Sequence, residues 1–368
     1  MKIEHISEVL PHVQGRPDFV VAEREGYTVI DYVFAGLDTF DEPIRLECRG
    51  IKFGPDGRVL ARPFHKFHNI NEKAHTQAHL IDLSQPHVIM EKLDGSMIHP
   101  AIVNDKLVFM TRMGHTDVAK KAEALLTPEL EEICRVALLE EGATPIFEYT
   151  APTNRIIIKY EKPQLHLLAI RNTITGEYRP FSVIRPNAIR MGVEAVPFVP
   201  STWKDIHEFV EFARMLQGKE GFVLRFESGQ WLKLKGEDYV LKHKSKDQIS
   251  LEKNALALIL TGATDDVLPL LTEEDKAGLE TYTAKVRAGI TETADQLRVI
   301  VNGGSKLDQK AFAVEHLASV PQQLRALAFQ VRKGKEPEQA IRETVLKNTH
   351  SQTQVDDVRS LFKADWTF

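Results

Sequence analysis

The periodicity of apolar residues changes character near residue 246, and that change limits the folds open to the chain. Upstream, short apolar runs alternate with turn residues at strand spacing. Downstream, strand signals vanish and helical punctuation takes over. Thr272 is placed to cap a long helical pattern that ends at Gly303-Gly304. Ser305 is expected to start the next helix, with Asp308 three residues on in the manner of a capping box. Pro321 and Pro337 sit where first helical positions would fall, and Gly334 closes the helix between them. The expectation is an α+β protein of two domains. Residues 1–245 form an antiparallel, strand-rich domain, and residues 246–368 form an all-α domain of ordinary size.

Within the first domain the turns set the pairing. Gly50 to Leu60 reads as two strands around Pro55-Asp56-Gly57. Ser96–Val103 and Lys106–Arg112 read as a hairpin across Asn104-Asp105. Thr127-Pro128 opens a helix with Leu130, Ile133, Cys134, Ala137 and Leu138 on one face. Pro145–Thr150, Gln164–Ile170, Gly221–Phe226 and Trp231–Lys235 read as strands, and Trp203–Gln217 as a helix ending at Gly218.

Composition excludes some classes of function. Of 368 residues 43% are apolar and 27% charged, with a formal net charge of −5, so any nucleic-acid contact must come from local basic patches. Two cysteines, Cys48 and Cys134, make no disulfide framework and show no metal-ligand spacing. The N-terminal residues lack the apolar core of a signal peptide, and no apolar run nears the ~20 residues that span a bilayer. A cytoplasmic monomer with free thiols is the expectation.

Several polar clusters interrupt the strands. In Val88-Ile89-Met90-Glu91-Lys92-Leu93-Asp94-Gly95-Ser96-Met97, apolar residues run straight into a lysine. Lys92 either snorkels to water from a hairpin edge or serves as an amine nucleophile. Lys233 and Lys235 alternate with Leu232 and Leu234, which puts both lysines on one face of a strand. That face is either solvated or aimed at one phosphate. Glu148 and Glu220 are carboxylates at strand edges, solvated or suited to a hard cation such as Mg²⁺ or Mn²⁺. Arg49 and Lys66 add cations, readable also as an ion pair and a surface lysine. His65, His68, His75 and His79 crowd one segment without a zinc-site pattern. The run Lys242-His243-Lys244-Ser245-Lys246 reads as a linker that could touch an RNA backbone. No Gly-x-x-x-x-Gly-Lys-Ser/Thr phosphate loop is present. Together these groups supply most of what nucleotidyl transfer needs.

Glu91-Lys92-Leu93-Asp94-Gly95-Ser96 resembles the nucleotidyl-accepting Lys-x-Asp-Gly motif of ATP-dependent ligases and capping enzymes. Five further stretches resemble the phage-type RNA ligase 1 family, in order: Leu46–Phe53, Lys66–Glu72, Phe147–Arg155, Glu220–Val223 and Lys233–Lys235. The resemblance implies a nucleotidyltransferase domain that joins 5′-phosphate to 3′-hydroxyl RNA ends, with ATP and Mg²⁺ or Mn²⁺. It implies Lys92 as the AMP-bearing lysine, Arg49 and Lys66 on the triphosphate, and Lys233 and Lys235 on the α-phosphate. Glu148 would act around the ribose or metal and Glu220 on the metal, with Gly221 allowing close approach. Glu91, Gly95 and Val223 lie in these motifs and are implied nucleotide contacts. Tyr32, Tyr239 and Asp265 fall where relatives contact nucleotide or metal. Two positions depart: Arg112 stands where lysine is usual, and His68 where an aromatic is common. The helical tail implies single-stranded RNA or nicked tRNA as substrate, as in tRNA repair. A DNA ligase, a capping-type enzyme and a non-catalytic nucleotide- and RNA-binding module are the alternatives. The lack of a recognisable oligonucleotide-binding barrel after Lys235 argues against the first two.

Overall fold

The computed structural model describes residues 1–36 and 38–368 and divides into two compact units, Met1–Val240 and Leu241–Phe368. The first unit is built on three sheets. One is a meander of Phe19–Arg24, Tyr27–Tyr32, Ile51–Phe53 and Val59–Ala61. The second runs in the order Glu194–Ala195, Gln164–Asn172, Ala143–Thr150, Ser96–Val103, Lys106–Met110. The third runs Phe198–Val199, His87–Lys92, Gly221–Phe226, Trp231–Lys235, His68–Asn69. All pairings are antiparallel except Glu194–Ala195 on Gln164–Asn172 and His68–Asn69 on Trp231–Lys235.

Strand alternation sorts the third sheet into two faces. Ile89, Phe222, Leu224 and Leu232 pack on the helix Ile206–Arg214, whose buried Ile206, Phe209, Val210 and Ala213 recur at helical spacing. Met90, Val223 and Trp231 point the other way, into a core shared with Ile98, Phe147, Leu165 and Leu167 of the second sheet. Any polar residue in register with Met90, Val223 and Trp231 therefore lies between the two sheets.

Turn chemistry agrees with the sequence in most places. Asn104 and Asp105 both take positive φ, 49° and 63°, as a tight two-residue hairpin requires. The Thr127 hydroxyl accepts from the Leu130 amide and Pro128 begins that helix. The expected strand to Arg112 stops at Met110, and Thr111 pairs instead with Gly114 across a short turn. The expected helix over 203–217 spans only Ile206–Arg214. The Asp205 carboxylate caps it by accepting from His207, and Trp203 stays outside, its ring against Phe209 and Phe212.

In the second unit Thr272 caps the helix Glu273–Gly303 as expected. Ser305 does not start the next helix; Asp308 is the cap, its carboxylate accepting from Ala311. Pro321 likewise precedes its helix, Gln322–Arg332, by one position, while Pro337 begins Pro337–Lys347. The long helix carries the core of this unit through Leu279, Tyr282, Val286, Ile290, Ala294 and Leu297. The basic run at 242–246 is not a linker: it lies inside the helix Glu237–Ser250.

A buried ion network joins the first two sheets. Glu47 accepts from Arg62 at 3.1 Å and from Arg171 at 2.8 Å, and Arg62 also donates to the carbonyls of Met1 and Ile174. Burial alone would push the Glu47 carboxyl up, but Arg171 and Arg62 overcome it and hold it at about 2. Removing one member strands two buried guanidinium groups. Glu47→Ala is expected to cost about 3–5 kcal/mol, read as a lower urea midpoint. The folded pKa lies below the ordinary value of 4.5, so this stabilisation is complete above that value and fades as pH falls toward about 2. Wild type should therefore lose stability through that window more steeply than the variant.

Candidate active site

The third sheet sets Lys92 in a row with two other residues. Gly221 pairs with Lys92 on one side and with Lys235 on the other. Two residues along, Val223 pairs with Met90 and Lys233, and beyond that Arg225 pairs with Val88 and Trp231. Paired residues of antiparallel strands share a face, so Lys92, Lys233 and Lys235 all look toward the second sheet. Gly221 is the one residue that permits the first row. Its φ is +150°, and a Cβ there would lie 2.0 Å from the Leu234 carbonyl oxygen.

Between the sheets lies a cleft of about 180 Å³, open to solvent on one side. Its cationic end carries Lys92, Lys233, Lys235 and Arg49; its apolar end carries Phe64, Phe67, Val223 and Trp231. Glu220 sits in the row's shadow, almost fully buried, with one carboxylate oxygen 2.7 Å from Lys92 Nζ and 3.0 Å from Lys235 Nζ. Glu148 faces them from the second sheet and accepts from the Gly95 amide at 3.1 Å. Gly95 lies so close to that strand that a Cβ would meet the Tyr149 carbonyl at 2.3 Å.

Electrostatics follow from this crowding. Burial, with Lys66, Lys92 and Arg49 close by, pushes the Lys233 ammonium down to about 7. Burial pushes the Glu148 carboxyl up to about 8, with Glu220 adding to it and Lys92 and Arg49 opposing. Burial also lowers Arg49, whose guanidinium donates to the Met97 sulfur at 3.5 Å. The cleft is thus short of negative charge at one end and apolar at the other. Its chemistry suits a ligand that combines a polyanion with a flat apolar ring.

The RNA ligase family model matches residues 47–249, more than half of the chain and every residue lining this cleft. The chain belongs to the RNA ligase family. As a member it is an enzyme that ligates RNA. It is 27% identical over 335 residues to a Thermovibrio ammonificans protein named as an RNA ligase, covering 87% of each chain. It is 30% identical over 224 residues to RNA ligase 1 of bacteriophage TS2126, covering 58% of this chain and 55% of the phage protein. An archaeal ATP-dependent RNA ligase structure is 15% identical, covers 81% of this chain and 80% of its own, and superposes with a TM-score of 0.48.

The ligase gathers most of the residues expected from sequence, though not all at one point. Lys66 borders the cationic end, its ammonium 5.8 and 5.5 Å from the ring centres of Tyr32 and Phe40 and 3.9 Å from Glu72. Arg112 and Tyr32 form their own cluster. The guanidinium lies 4.4 Å from the Tyr32 ring centre and pairs with buried Asp31 at 2.9 Å. Glu91 borders the cleft, but its carboxylate pairs with Lys219. Tyr239 donates to Asp94 at 2.6 Å, with Lys235 over its ring. Asp265 lies in the helix Thr264–Val267 of the second unit. His68 keeps an aromatic contact, 6.0 Å from Phe40, and binds Glu72 at 3.0 Å. His65 binds the Tyr178 hydroxyl at 2.8 Å, and among the described residues no group of three His, Cys, Asp or Glu side chains could hold a metal by itself.

Asp94 is the residue that sequence reasoning quoted but assigned no place. Fully buried, it accepts from the Ile157 and Ile158 amides at 2.7 and 2.6 Å as well as from Tyr239. It ties the turn after Lys92 to two distant segments. The signal was its buried position between Leu93 and Gly95, legible only once its partners were known.

Proposed function

We propose that this RNA ligase is ATP-dependent and works through an AMP-bearing lysine, Lys92, to seal 5′-phosphate and 3′-hydroxyl RNA ends. The observation that carries the reading is the row Lys92–Gly221–Lys235 on the cleft face, ringed by Lys233, Arg49 and Lys66. A triphosphate supplies the negative charge this end lacks, and the apolar end takes the base.

In the first step Lys92 Nζ forms a bond to the α-phosphorus as the bond to pyrophosphate breaks. The amine must first lose a proton, and Glu220, 2.7 Å away, is placed to take it. Lys233 and Lys235 face the position of the α-phosphate and offset charge that develops on its oxygens. Arg49 and Lys66 hold the leaving pyrophosphate. AMP then passes to the RNA 5′-phosphate, and attack by the 3′-hydroxyl expels it.

The donor set fits Mg²⁺ or Mn²⁺ held by Glu148 and Glu220 and otherwise by phosphate oxygens and water. Burial raises the Glu148 carboxyl even against Lys92 and Arg49, and a divalent cation would favour its charged form. When bound, the ion would neutralise phosphate charge.

In the finer reading the substrate is single-stranded RNA or nicked tRNA, with residues 246–368 as a substrate-selecting domain and Asp265 as a further metal-side carboxylate. No helix among the described residues is long and apolar enough to cross a membrane, and a cytoplasmic site of action belongs to the same reading. The test is a sealing assay with 5′-phosphorylated single-stranded RNA, nicked tRNA and nicked DNA in parallel. RNA joined with release of AMP supports the reading. DNA joined in preference to RNA, or no product with any substrate, overturns it.

Lys233 makes nucleotide binding proton-linked. With its ammonium at about 7 in the free protein, it is largely neutral above that pH. A bound triphosphate favours the charged form and restores the proton. Binding above pH 7 should take up a proton, and affinity should fall as pH rises toward the ordinary lysine range. Calorimetry in two buffers of different ionisation enthalpy reads the proton count. Lys233→Met should lower that count, and a variant that takes up as many protons as wild type at pH 8 would remove Lys233 from the phosphate site.

A further inference from the structure

Lys52 is a fully buried lysine that the reaction above does not use. It lies in the short strand Ile51–Phe53, with no carboxylate in ion-pair contact among the described residues. Its ammonium donates to the carbonyls of Thr111 and Arg112, at 2.6 and 3.0 Å, and meets His99 Nε2 at 2.9 Å. His99 Nδ1 faces the Pro100 carbonyl at 3.2 Å, which leaves Nε2 free to accept. Burial pulls Lys52 below its usual range and nearby Asp31 opposes it, while three acceptors around Nζ match the three donors of the ammonium.

These two carbonyls belong to the turn that carries Arg112. The strand Lys106–Met110 ends one residue before them, and besides Lys52 the Thr111 partners are Gly114 and, through the hydroxyl, Thr116. The other supports of Arg112 are close by. Gly50, at φ +83°, lets the chain pass so near that a Cβ would lie 2.6 Å from the Arg112 carbonyl oxygen. Asp31 pairs with the guanidinium, and the Tyr32 ring lies against it. Arg112 is one of the expected nucleotide contacts, and Arg49 of the cleft feels its charge.

We infer that Lys52 is a positioning residue for nucleotide binding: it pins the Thr111–Gly114 turn so that Arg112 and Tyr32 stand toward the triphosphate. The inference rests on the reading of the cleft as the ATP site and adds a residue that touches no substrate. A buried ammonium with no carboxylate in ion-pair contact among the described residues is a costly way to fill space, since a buried charge is penalised unless its donors are all used. The two carbonyl bonds explain why a lysine sits there.

The experiment compares wild type, Lys52→Met, Arg112→Ala and the double variant, with Lys52→Gln as a second substitution should the methionine protein fold poorly. Binding is read with an ATP analogue whose α,β bridge cannot be cleaved, so that no chemistry is required, and melting temperature is read alongside. The expected result is about tenfold weaker binding for Lys52→Met, from two charge-assisted hydrogen bonds lost to the turn. In the Arg112→Ala background the same change should cost less than about twofold, because its target is gone. Melting should fall by a few degrees as two buried carbonyls lose their donor, so binding is read well below the midpoint of every variant. Equal losses in both backgrounds, unchanged binding, or weaker binding that only tracks a lower melting temperature would overturn the inference. Wild type that binds the analogue but never becomes labelled by ATP would count against Lys92, not Lys52.

Discussion

Replacing Lys92 by alanine or by arginine is expected to abolish labelling of the protein by α-labelled ATP. Alanine removes the amine. Arginine keeps a cation of similar reach but cannot be deprotonated, so it has no lone pair for phosphorus. Both variants should still bind nucleotide, because Lys233, Lys235, Arg49 and Lys66 remain around the cleft. Both should also seal RNA whose 5′ end already carries AMP, since that step needs the phosphate clamps and not the nucleophile. The combination separates Lys92 from a residue that merely holds the sheet together. Residual labelling in either variant, or failure on the adenylylated RNA with binding intact, would sink the assignment.

Gly221→Ala should produce the next largest effect. The added methyl would sit 2.0 Å from the Leu234 carbonyl oxygen and 2.8 Å from Lys235 Cα, on a backbone with φ of +150°. Relief requires the strand Trp231–Lys235 to move away from Lys92, and Lys235 moves with it. Displacement of about 1 Å at a reacting centre can cost on the order of 100-fold in rate. Labelling at saturating ATP should fall by at least that factor, and stability by about 1–3 kcal/mol. Gly229→Ala is the control. It also has positive φ, +92°, but a Cβ there meets nothing within 4 Å. It should lose some stability from strain and keep its labelling rate at temperatures well below its midpoint. Equal rates for the two variants would mean that the row Lys92–Gly221–Lys235 need not be tight.

The comparison of Lys233 with Arg112 shows how far a sequence carries a site. Alternation along Trp231-Leu232-Lys233-Leu234-Lys235 was enough to place both lysines on one face, because strand geometry has a period of two whatever surrounds it. Two readings of that face were open, solvated or aimed at a phosphate. The structure shows Lys233 and Lys235 on the cleft, through their pairing with Val223 and Gly221. For Arg112 the sequence offered only a cation where a lysine is usual. Its pairing with Asp31, 81 residues away, and its turn's dependence on Lys52 are long-range facts with no local signature.

Local structure was determined by the sequence alone wherever the signal is short-range. The hairpin at Asn104-Asp105, the caps at Thr127 and Thr272, and the division into strand-rich and helical halves all come from backbone preferences acting within a few residues. It misled where competing local signals lay side by side, as at Ser305 and Asp308, either of which could cap. Tertiary structure alone decided the charges. Lys233 at about 7 depends on burial and on cations brought from three separate segments, Lys66, Lys92 and Arg49, and Glu148 at about 8 on burial and on Glu220. It also decided the row through Gly221, since His87–Lys92 and Gly221–Phe226 lie more than 100 residues apart with no turn joining them, and their register follows from which apolar residues are buried together on each face.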